Sequence, residues 1–224
     1  MDAFAANFLN FGSVLRVLPL MGAGLRTSAL LIVVIVPAAM LLGLVLAALQ
    51  QFGGKATRRC IVVYTDFFRS FPPLVLLVFL YSGLPLAGLR FNEFQTVVTG
   101  LVLNGGAFFG EIFRAGIEAV PRGQWDAGTA LGLRPWQVFR RVVLPQSIHP
   151  VVPPLASNVV ELAKATSLAA AVSLPDLLTS ARQAQDIVYN PTPLVVAGLI
   201  YLVTFWPLVR LVSILETRSL SRRI

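Results

Sequence analysis

Five long apolar stretches, separated by short polar connectors, dominate this sequence and limit what it can fold into. The stretches run over residues 25–49, 60–84, 95–119, 150–172 and 193–215. A helix needs about 20 mostly apolar residues to cross the hydrocarbon core of a bilayer. The fourth stretch is the weakest of the five because it contains several prolines and charges. The sequence therefore predicts an all-α, polytopic membrane protein with about five transmembrane helices, in one domain over residues 1–224.

The charged residues are few, and their positions favour a membrane over a nucleic acid as the partner. Only 12% of the residues are charged, against about 25% in soluble domains. The net charge of +8 comes from residues that lie between the apolar runs rather than along one face. We therefore expect membrane lipid as a partner and no nucleic acid.

Single copies of cysteine and histidine restrict the chemistry further. Cys60 cannot form a disulfide within the chain, and His149 has no second histidine with which to build a metal site. We expect no bound metal, no cofactor and no catalytic residues in this chain.

Basic residues in the connectors predict the orientation. The basic residues on one side are Lys55, Arg58, Arg59, Arg122, Arg134, Arg140, Arg141, Arg218, Arg222 and Arg223. Connectors rich in Lys and Arg stay in the cytoplasm. The amino terminus is therefore expected outside and the carboxyl terminus inside, although Arg16 and Arg26 count against this.

A stripe of apolar residues precedes the first span. Phe4, Phe8, Phe11, Leu15 and Leu18 recur at helical spacing, which predicts an interfacial helix lying on the outer leaflet. A disordered apolar leader is the alternative. We expect no cleaved signal peptide, because the first apolar run is too long and begins too late.

The connector over residues 120–147 is too structured to be a simple linker. Helix formers run from Gly123 to Leu131, and Gly132 can supply the positive φ that ends a helix. Pro135 suits the first turn of a second helix, which we expect to end at Leu144-Pro145.

The second helix of this connector is predicted to be amphipathic. Trp136, Phe139 and Val143 share one face, and Arg140 and Arg141 lie mostly off it. A short helix, a sharp turn and a second helix beneath the bilayer would present a protruding surface to a cytosolic partner.

This connector resembles a known signature. Asp126-Ala127-Gly128, then Gly132, then Val142-x-Leu144-Pro145 is similar to the EAA motif of ABC-importer membrane subunits, with the same spacing. The departures are Asp126 for Glu, Gly128 for Ala, and Arg134 in place of a Ser-type cap. Gly128 should weaken the first helix by about 1 kcal/mol relative to Ala, and the missing cap should cost about 1 kcal/mol.

The resemblance covers roughly residues 21–217 and extends to polar amino-acid permeases of the histidine, glutamate, glutamine, arginine and opine type. The matching segments are Phe68-Arg69-Ser70-Phe71-Pro72, Glu111-Ile112-Phe113-Arg114-Ala115-Gly116-Ile117, Pro121-Arg122-Gly123-Gln124, Pro153-Pro154-Leu155 with Asn158, and Lys164-Ala165-Thr166-Ser167-Leu168.

The resemblance implies a type I importer fold with a cytoplasmic coupling helix that docks on a separate ATPase. The chain itself has no phosphate-binding loop, since Gly53-Gly54-Lys55 lacks both the spacing and the following Ser or Thr. It is thus expected to be a transport subunit and not an enzyme, with ATP and Mg bound by the partner. The residues expected to dock are Gly123, Asp126, Ala127, Gly128, Ala130, Leu131, Gly132, Leu144 and Pro145.

The same resemblance implies the remaining partners and the location. We expect two copies of the ATPase, a second permease subunit (identical or merely similar) and a periplasmic or lipid-anchored solute-binding protein. The implied function is import of polar amino acids or opine-like derivatives across a bacterial inner membrane.

Ionisable residues inside the spans are costly in lipid and mark packing or function. The polar residues that are candidates for a substrate pathway are Arg69, Asn104, Glu111, Arg114, Glu161, Lys164, Thr166 and Ser167. A zwitterionic amino acid needs an anion for its ammonium and a cation for its carboxylate. The alternative is that Asp66/Arg69, Glu111/Arg114 and Glu161/Lys164 only neutralise one another and fix helix packing.

Other functions stay open at this point. An ABC permease for a different small solute would carry the same connector. A transporter driven by an ion gradient would use the intramembrane acids but would have no role for the basic connector.

Overall fold

The computed structural model describes residue 8 and residues 10–221, which are mostly helical and contain no strand. The helices are α1 (Phe11–Phe52), α2 (Lys55–Ser70), α3 (Pro73–Val78), α4 (Glu93–Glu118), α5 (Arg122–Ala130), α6 (Pro135–Val138), α7 (Leu144–Ala165), α8 (Leu177–Val188) and α9 (Thr192–Ser221). Within this described part, four helical segments are long and apolar enough to cross a membrane, or five if α2 and the segment after it form one broken span. The predicted all-α, polytopic fold is confirmed.

The first helix is longer than predicted. Helix α1 has 42 residues and is about 63 Å long at 1.5 Å per residue. It includes Leu15 and Leu18, so the prediction of a separate interfacial helix is wrong for these residues, and Phe4 lies outside the described residues. The reason is packing: Val14, Val17 and Met21 are buried against α8 and α9 and not laid on lipid headgroups.

The second predicted span, residues 60–84, is not one helix. Helix α2 ends at Ser70, and Pro72 is extended, with φ −60° and ψ 127°, before Pro73 begins α3. A proline pushes the preceding residue away from helical angles and has no N–H to donate. Helix α3 then continues through a π-helical turn, Phe79–Gly83, and a 3-10 turn, Leu84–Ala87.

The fourth span begins earlier than predicted. Helix α6 continues through a π-helical turn, Phe139–Val143, into α7, so the expected end at Leu144-Pro145 and the start at residue 150 are both wrong. In the π turn the Leu144 N–H donates to the Phe139 carbonyl, five residues back. Such a widened turn carries the helix past Pro145, which has no N–H of its own. The apolar segment is continuous over Pro135–Val172.

The other two spans lie close to their predicted positions. Helix α4, Glu93–Glu118, matches the prediction of 95–119 to within two residues at each end. Helix α9 begins at Thr192 as expected, and its membrane-compatible part ends at Ile214.

The described contacts group into two compact units. Unit 1 comprises residues 1–37, 71–102 and 161–208, and unit 2 comprises residues 38–70, 103–160 and 209–224. In unit 1 the start of α1 packs on α8 and α9 around Leu177, Ala181 and Ala197. The Ser28 hydroxyl accepts a hydrogen bond from the Leu177 N–H at 3.0 Å and joins α1 to the first turn of α8.

In unit 2, glycine lets α1 and α4 approach closely. A Cβ at Gly43 would lie 2.5 Å from the Phe109 Cβ and 2.7 Å from the Gly110 nitrogen. Small residues at such crossings let membrane helices pack at close range without a hydrophobic driving force.

Candidate functional site

The connector between α4 and α7 forms the predicted helix–turn–helix. Helix α5 ends at Ala130, and Gly132 has φ +75°, the left-handed conformation expected of it. The Leu133 N–H donates to the Gly128 carbonyl at 3.2 Å, and the Gly132 N–H donates to the Thr129 carbonyl at 2.9 Å. These bonds satisfy carbonyls at the end of α5 and fix the direction in which the chain leaves it.

The second helix starts where the sequence predicts, with Pro135 in its first turn. The Gln137 side chain accepts a hydrogen bond from the Arg134 N–H at 2.9 Å. This is half of a capping box, since the Arg134 guanidinium has no acceptor to return the bond. Gln137 thus compensates in part for the missing Ser-type cap.

A small core holds the two short helices together. Val120, Val138, Phe139 and Val143 are buried, and Trp125 packs against them. Gly128 is buried here as well, and a Cβ at this position would lie 2.9 Å from a Val138 methyl group. Gly128 is therefore not simply a weakened Ala position, because its missing side chain makes room for α6.

The rest of the predicted docking set is open to solvent. Asp126, Ala127 and Ala130 are exposed on α5, and the Leu131 side chain, 81% exposed, is next to them. Together with Ala127 and Ala130, this leucine gives the exposed face of the connector an apolar part that is available to a partner. Gly123 and Gly132 are also exposed, and Leu144 and Pro145 lie exposed at the start of α7.

The expected face of the second helix is formed with one difference. Phe139 and Val143 are buried as predicted, but Trp136 is 55% exposed. Its ring stacks on Phe139 at 5.6 Å between centroids and meets the edge of Phe52, also at 5.6 Å.

Four pathway candidates, Arg69, Asn104, Glu111 and Arg114, lie in unit 2. Arg114 donates from Nε to the Glu111 carboxylate at 3.1 Å, makes a second bond to it through a terminal nitrogen, and also pairs with Glu118. The predicted Glu111/Arg114 pair is thus formed as a two-bond clamp.

The predicted pairing of Asp66 with Arg69 is wrong. No ion pair joins them within 4.0 Å in the described part of the chain. The Arg69 guanidinium carbon instead lies 5.5 Å from the centre of the Phe108 ring on α4, a cation–π contact. The aromatic face on a neighbouring helix offers Arg69 a partner that sequence spacing along α2 does not reveal.

Asn104 has a packing role. It is buried, and its amide donates to the Phe68 carbonyl at 2.6 Å, tying α4 to α2. Tyr64 makes the same kind of link to the Leu103 carbonyl at 2.7 Å. Both bonds satisfy groups that would be costly to leave unpaired in a membrane.

The other four candidates, Glu161, Lys164, Thr166 and Ser167, lie in unit 1. Lys164 pairs with Glu161 at 2.7 Å, and the two side chains are 41% and 70% exposed. The hydroxyls of Thr166 and Ser167 donate to carbonyls three residues back, those of Ala163 and Lys164. The hydroxyls are therefore satisfied within their own helix, whereas the charged pair is open.

Two members of these clusters are absent from the sequence-based set. Glu118 is four residues after Arg114, a spacing that the sequence shows directly. Phe108 has no comparable signal. Across the described part, no group of three or more His, Cys, Asp or Glu side chains is placed to hold a metal ion.

Comparison with known proteins shows the family to which this chain belongs. Residues 39–220 match the family model described as "Binding-protein-dependent transport system inner membrane component". The arginine transport system permease protein ArtQ of Bacillus subtilis is 32% identical over 87% of this chain and 90% of its own length.

A further relative and a solved structure agree with this result. The probable amino-acid ABC transporter permease protein YckA of B. subtilis is 43% identical, over 54% of this chain and 53% of its own length. A crystal structure of an amino acid ABC transporter with histidines superposes with a TM-score of 0.85 at 30% identity, covering 93% of this chain and 98% of that one. The chain therefore belongs to the family of inner membrane components of binding-protein-dependent transport systems, and it is a multi-pass membrane protein.

Proposed function

We propose that this chain is the permease subunit of an ATP-driven importer for polar amino acids or opine-like derivatives. The observation that carries the proposal is the solvent-exposed face of α5, with Asp126, Ala130 and Leu131 beside a turn fixed by Gly132. This face is a rigid surface on the cytoplasmic connector, and an ATPase that binds it can pass a rigid-body movement to the spans.

The proposed partners are those expected of a binding-protein-dependent transport system. Two ATPase subunits bind ATP and Mg, and this chain binds no cofactor of its own. A second permease subunit completes the pathway, and a solute-binding protein delivers the cargo outside. The basic connectors favour an orientation with the amino terminus outside and the carboxyl terminus in the cytoplasm.

The cargo is inferred from relatives and from exposed charges. One relative is an arginine transport system permease protein, and the similar solved structure is an amino acid ABC transporter. The exposed Glu161–Lys164 pair offers both signs of charge to a zwitterion. Arg114, by contrast, is already paired with two carboxylates, those of Glu111 and Glu118.

Uptake by reconstituted proteoliposomes tests this function. The complete complex should accumulate one or more members of a panel of radiolabelled polar amino acids when ATP is supplied on the ATPase side. Uptake should survive ionophores that dissipate ion gradients. Uptake that needs the gradient and ignores ATP would mean a secondary transporter, and stimulation of the ATPase only by another solute would mean a different cargo.

A variant separates a cargo role of Glu161 from a packing role. Glu161→Ala should lower substrate-stimulated ATPase activity more than basal activity. Equal loss of both, or loss of complex assembly, would assign Glu161 to packing.

A further inference from the structure

Unit 2 contains an apolar groove that no part of the described chain fills. The groove has a volume of about 350 Å³ and is lined by α1, α4, α6 and α7. Its walls include Leu44, Phe52, Phe113, Ile148 and Val152, and every lining side chain except Ser147 is apolar. The Ser147 hydroxyl is already bonded to the Leu144 carbonyl at 2.9 Å, so the groove offers no free hydroxyl donor.

A basic pocket adjoins this groove. Trp136 lines both cavities, and the second one, of about 420 Å³, is completed by Gln137, Arg140 and Arg141. Both arginines are exposed, and in the part of the chain that the structure describes neither has a carboxylate within 4.0 Å. Two guanidinium groups without a carboxylate partner therefore lie at the end of the apolar groove.

The chemistry of the two cavities favours an amphiphile with an anionic head. The groove is lined by apolar side chains, and the two guanidiniums beside it have no carboxylate within 4.0 Å in the described residues. A wholly apolar helix in the groove would leave both guanidiniums without an anion. A molecule with one anionic head and a flexible hydrocarbon tail suits both cavities at once.

Trp136 marks the boundary between the two halves of the site. Its ring and those of Phe52 and Phe139 form a cluster with centroids 5.0–5.6 Å apart. Tryptophan is enriched at the headgroup level of membranes, where one side of the ring is apolar and the other is wet. The cluster thus separates a hydrocarbon-like cavity from a cationic one.

We propose that the groove and the adjoining pocket form one binding site for an anionic phospholipid. The phosphate lies between Arg140 and Arg141, and an acyl chain lies along the groove beside Phe52 and Ile148. The site couples the connector to the lipid composition of the cytoplasmic leaflet, and it does not depend on which solute is transported.

Lipid binding to the purified full-length protein tests the site. In nonionic detergent, native mass spectrometry compares phosphatidylglycerol with phosphatidylcholine carrying the same acyl chains. The wild type should bind phosphatidylglycerol at least tenfold more tightly, and excess inorganic phosphate should not displace it. Equal binding of the two lipids would overturn the proposal.

Variants test the contributions of the basic pocket and of the groove separately. Arg140→Gln with Arg141→Gln should weaken phosphatidylglycerol binding by about fivefold per arginine, or about 25-fold in all. Ile148→Trp, which fills the groove, should weaken both lipids. The matched control is Lys55→Gln with Arg59→Gln, which removes two exposed charges outside both cavities and should leave the preference intact.

Two outcomes would contradict the site even if all variants fold. An equal loss in the control pair would mean general attraction of anionic lipid to a basic surface. Unchanged lipid binding, with loss of the second permease subunit or of the ATPase in the Arg140/Arg141 variant, would make the groove a protein interface.

Discussion

Helices α5 and α8 are both short connectors between membrane helices, and they use their surfaces in opposite ways. Helix α5 has nine residues, of which only Gly128 is buried. Helix α8 has twelve residues and buries Leu177, Ser180, Ala181 and Ala184, with a buried Asp176 as its N-cap. Helix α5 keeps its face exposed, whereas α8 packs one face inside its own unit.

The difference shows what each connector can do. A helix packed on α1 and α9, as α8 is, holds neighbouring spans of unit 1 in place. A helix that packs mainly through Gly128 and Trp125 leaves Asp126, Ala130 and Leu131 exposed to another protein. Changes in α5 should therefore impair assembly with a partner, and changes around α8 should impair folding.

The largest effect on ATPase binding is expected from a charge placed on the exposed face of α5 and the turn that follows it. Leu131→Asp should weaken ATPase binding by roughly thirtyfold or more, because an interface centre excludes an unpaired charge. The melting temperature of the isolated chain should stay unchanged. Leu86→Asp is the control, at a side chain that is 91% exposed and lies outside the connector. If both variants bind the ATPase normally, the open face of α5 is not the docking surface.

The next effect tests the packed helix. A Cβ at Gly24 would lie 2.3 Å from the Ser180 Oγ and 2.6 Å from the Asp176 carbonyl oxygen, whereas a Cβ at Gly22 meets nothing within 4 Å. Gly24→Val should destabilise the fold by about 3 kcal/mol and lower the melting temperature in detergent by roughly 5–10 °C. Gly22→Val, on the same helix, should change it far less. Equal losses would show that helix propensity and not contact with α8 sets the cost.

A smaller effect on stability is expected from glycine substitutions within α5. Gly128→Ala gains up to about 1 kcal/mol of helix propensity but brings its methyl group to 2.9 Å from Val138, so the net change should be a loss of about 1 kcal/mol. Gly123→Ala has open space around it and should stabilise the segment by a few tenths of a kcal/mol. Thermal unfolding of the two variants measures the contrast, and a stabilised Gly128→Ala would contradict the packing role.

The smallest effect concerns pH and the N-cap of α8. Burial raises the pKa of the Asp176 carboxyl, against a smaller opposing contribution from the Thr179 N–H, which donates to its Oδ1 at 2.8 Å. The folded state thus holds this proton to higher pH than the unfolded state. The resulting stability is fully present below the unfolded pKa of about 3.9 and is lost as pH rises through the raised folded pKa.

Asp176→Asn isolates that contribution, because Asn keeps an oxygen to accept the Thr179 N–H and carries no charge. Melting temperatures of wild type and variant should diverge as pH rises above about 4, with the variant the more stable at neutral pH. If the melting temperatures of the two proteins change with pH in the same way, burial does not raise the pKa of Asp176 in the folded protein.

The connector was predictable because its signals are local. Gly132 and Pro135 specify a turn through their own backbone preferences, and both act within a few residues. The packing reason for Gly128 was not predictable, since it depends on Val138 ten residues away across the turn. The docking role of the exposed residues stays a prediction.

The errors came from prolines and from contacts distant in sequence. Pro72-Pro73 breaks the second span, yet Pro145 is absorbed by a π turn, and hydropathy alone does not separate the two cases. Arg69 pairs with Phe108 because α2 and α4 lie side by side, which spacing along α2 does not reveal.

Crosslinking in the active complex is the most direct test of the central claim that an ATPase subunit binds the exposed face of α5. In a Cys60→Ser background, single cysteines at Ala130 and Leu131 should crosslink to the ATPase subunit, and a cysteine at Leu86 should not. Failure of both connector positions to capture the ATPase in a preparation that still transports would contradict the account.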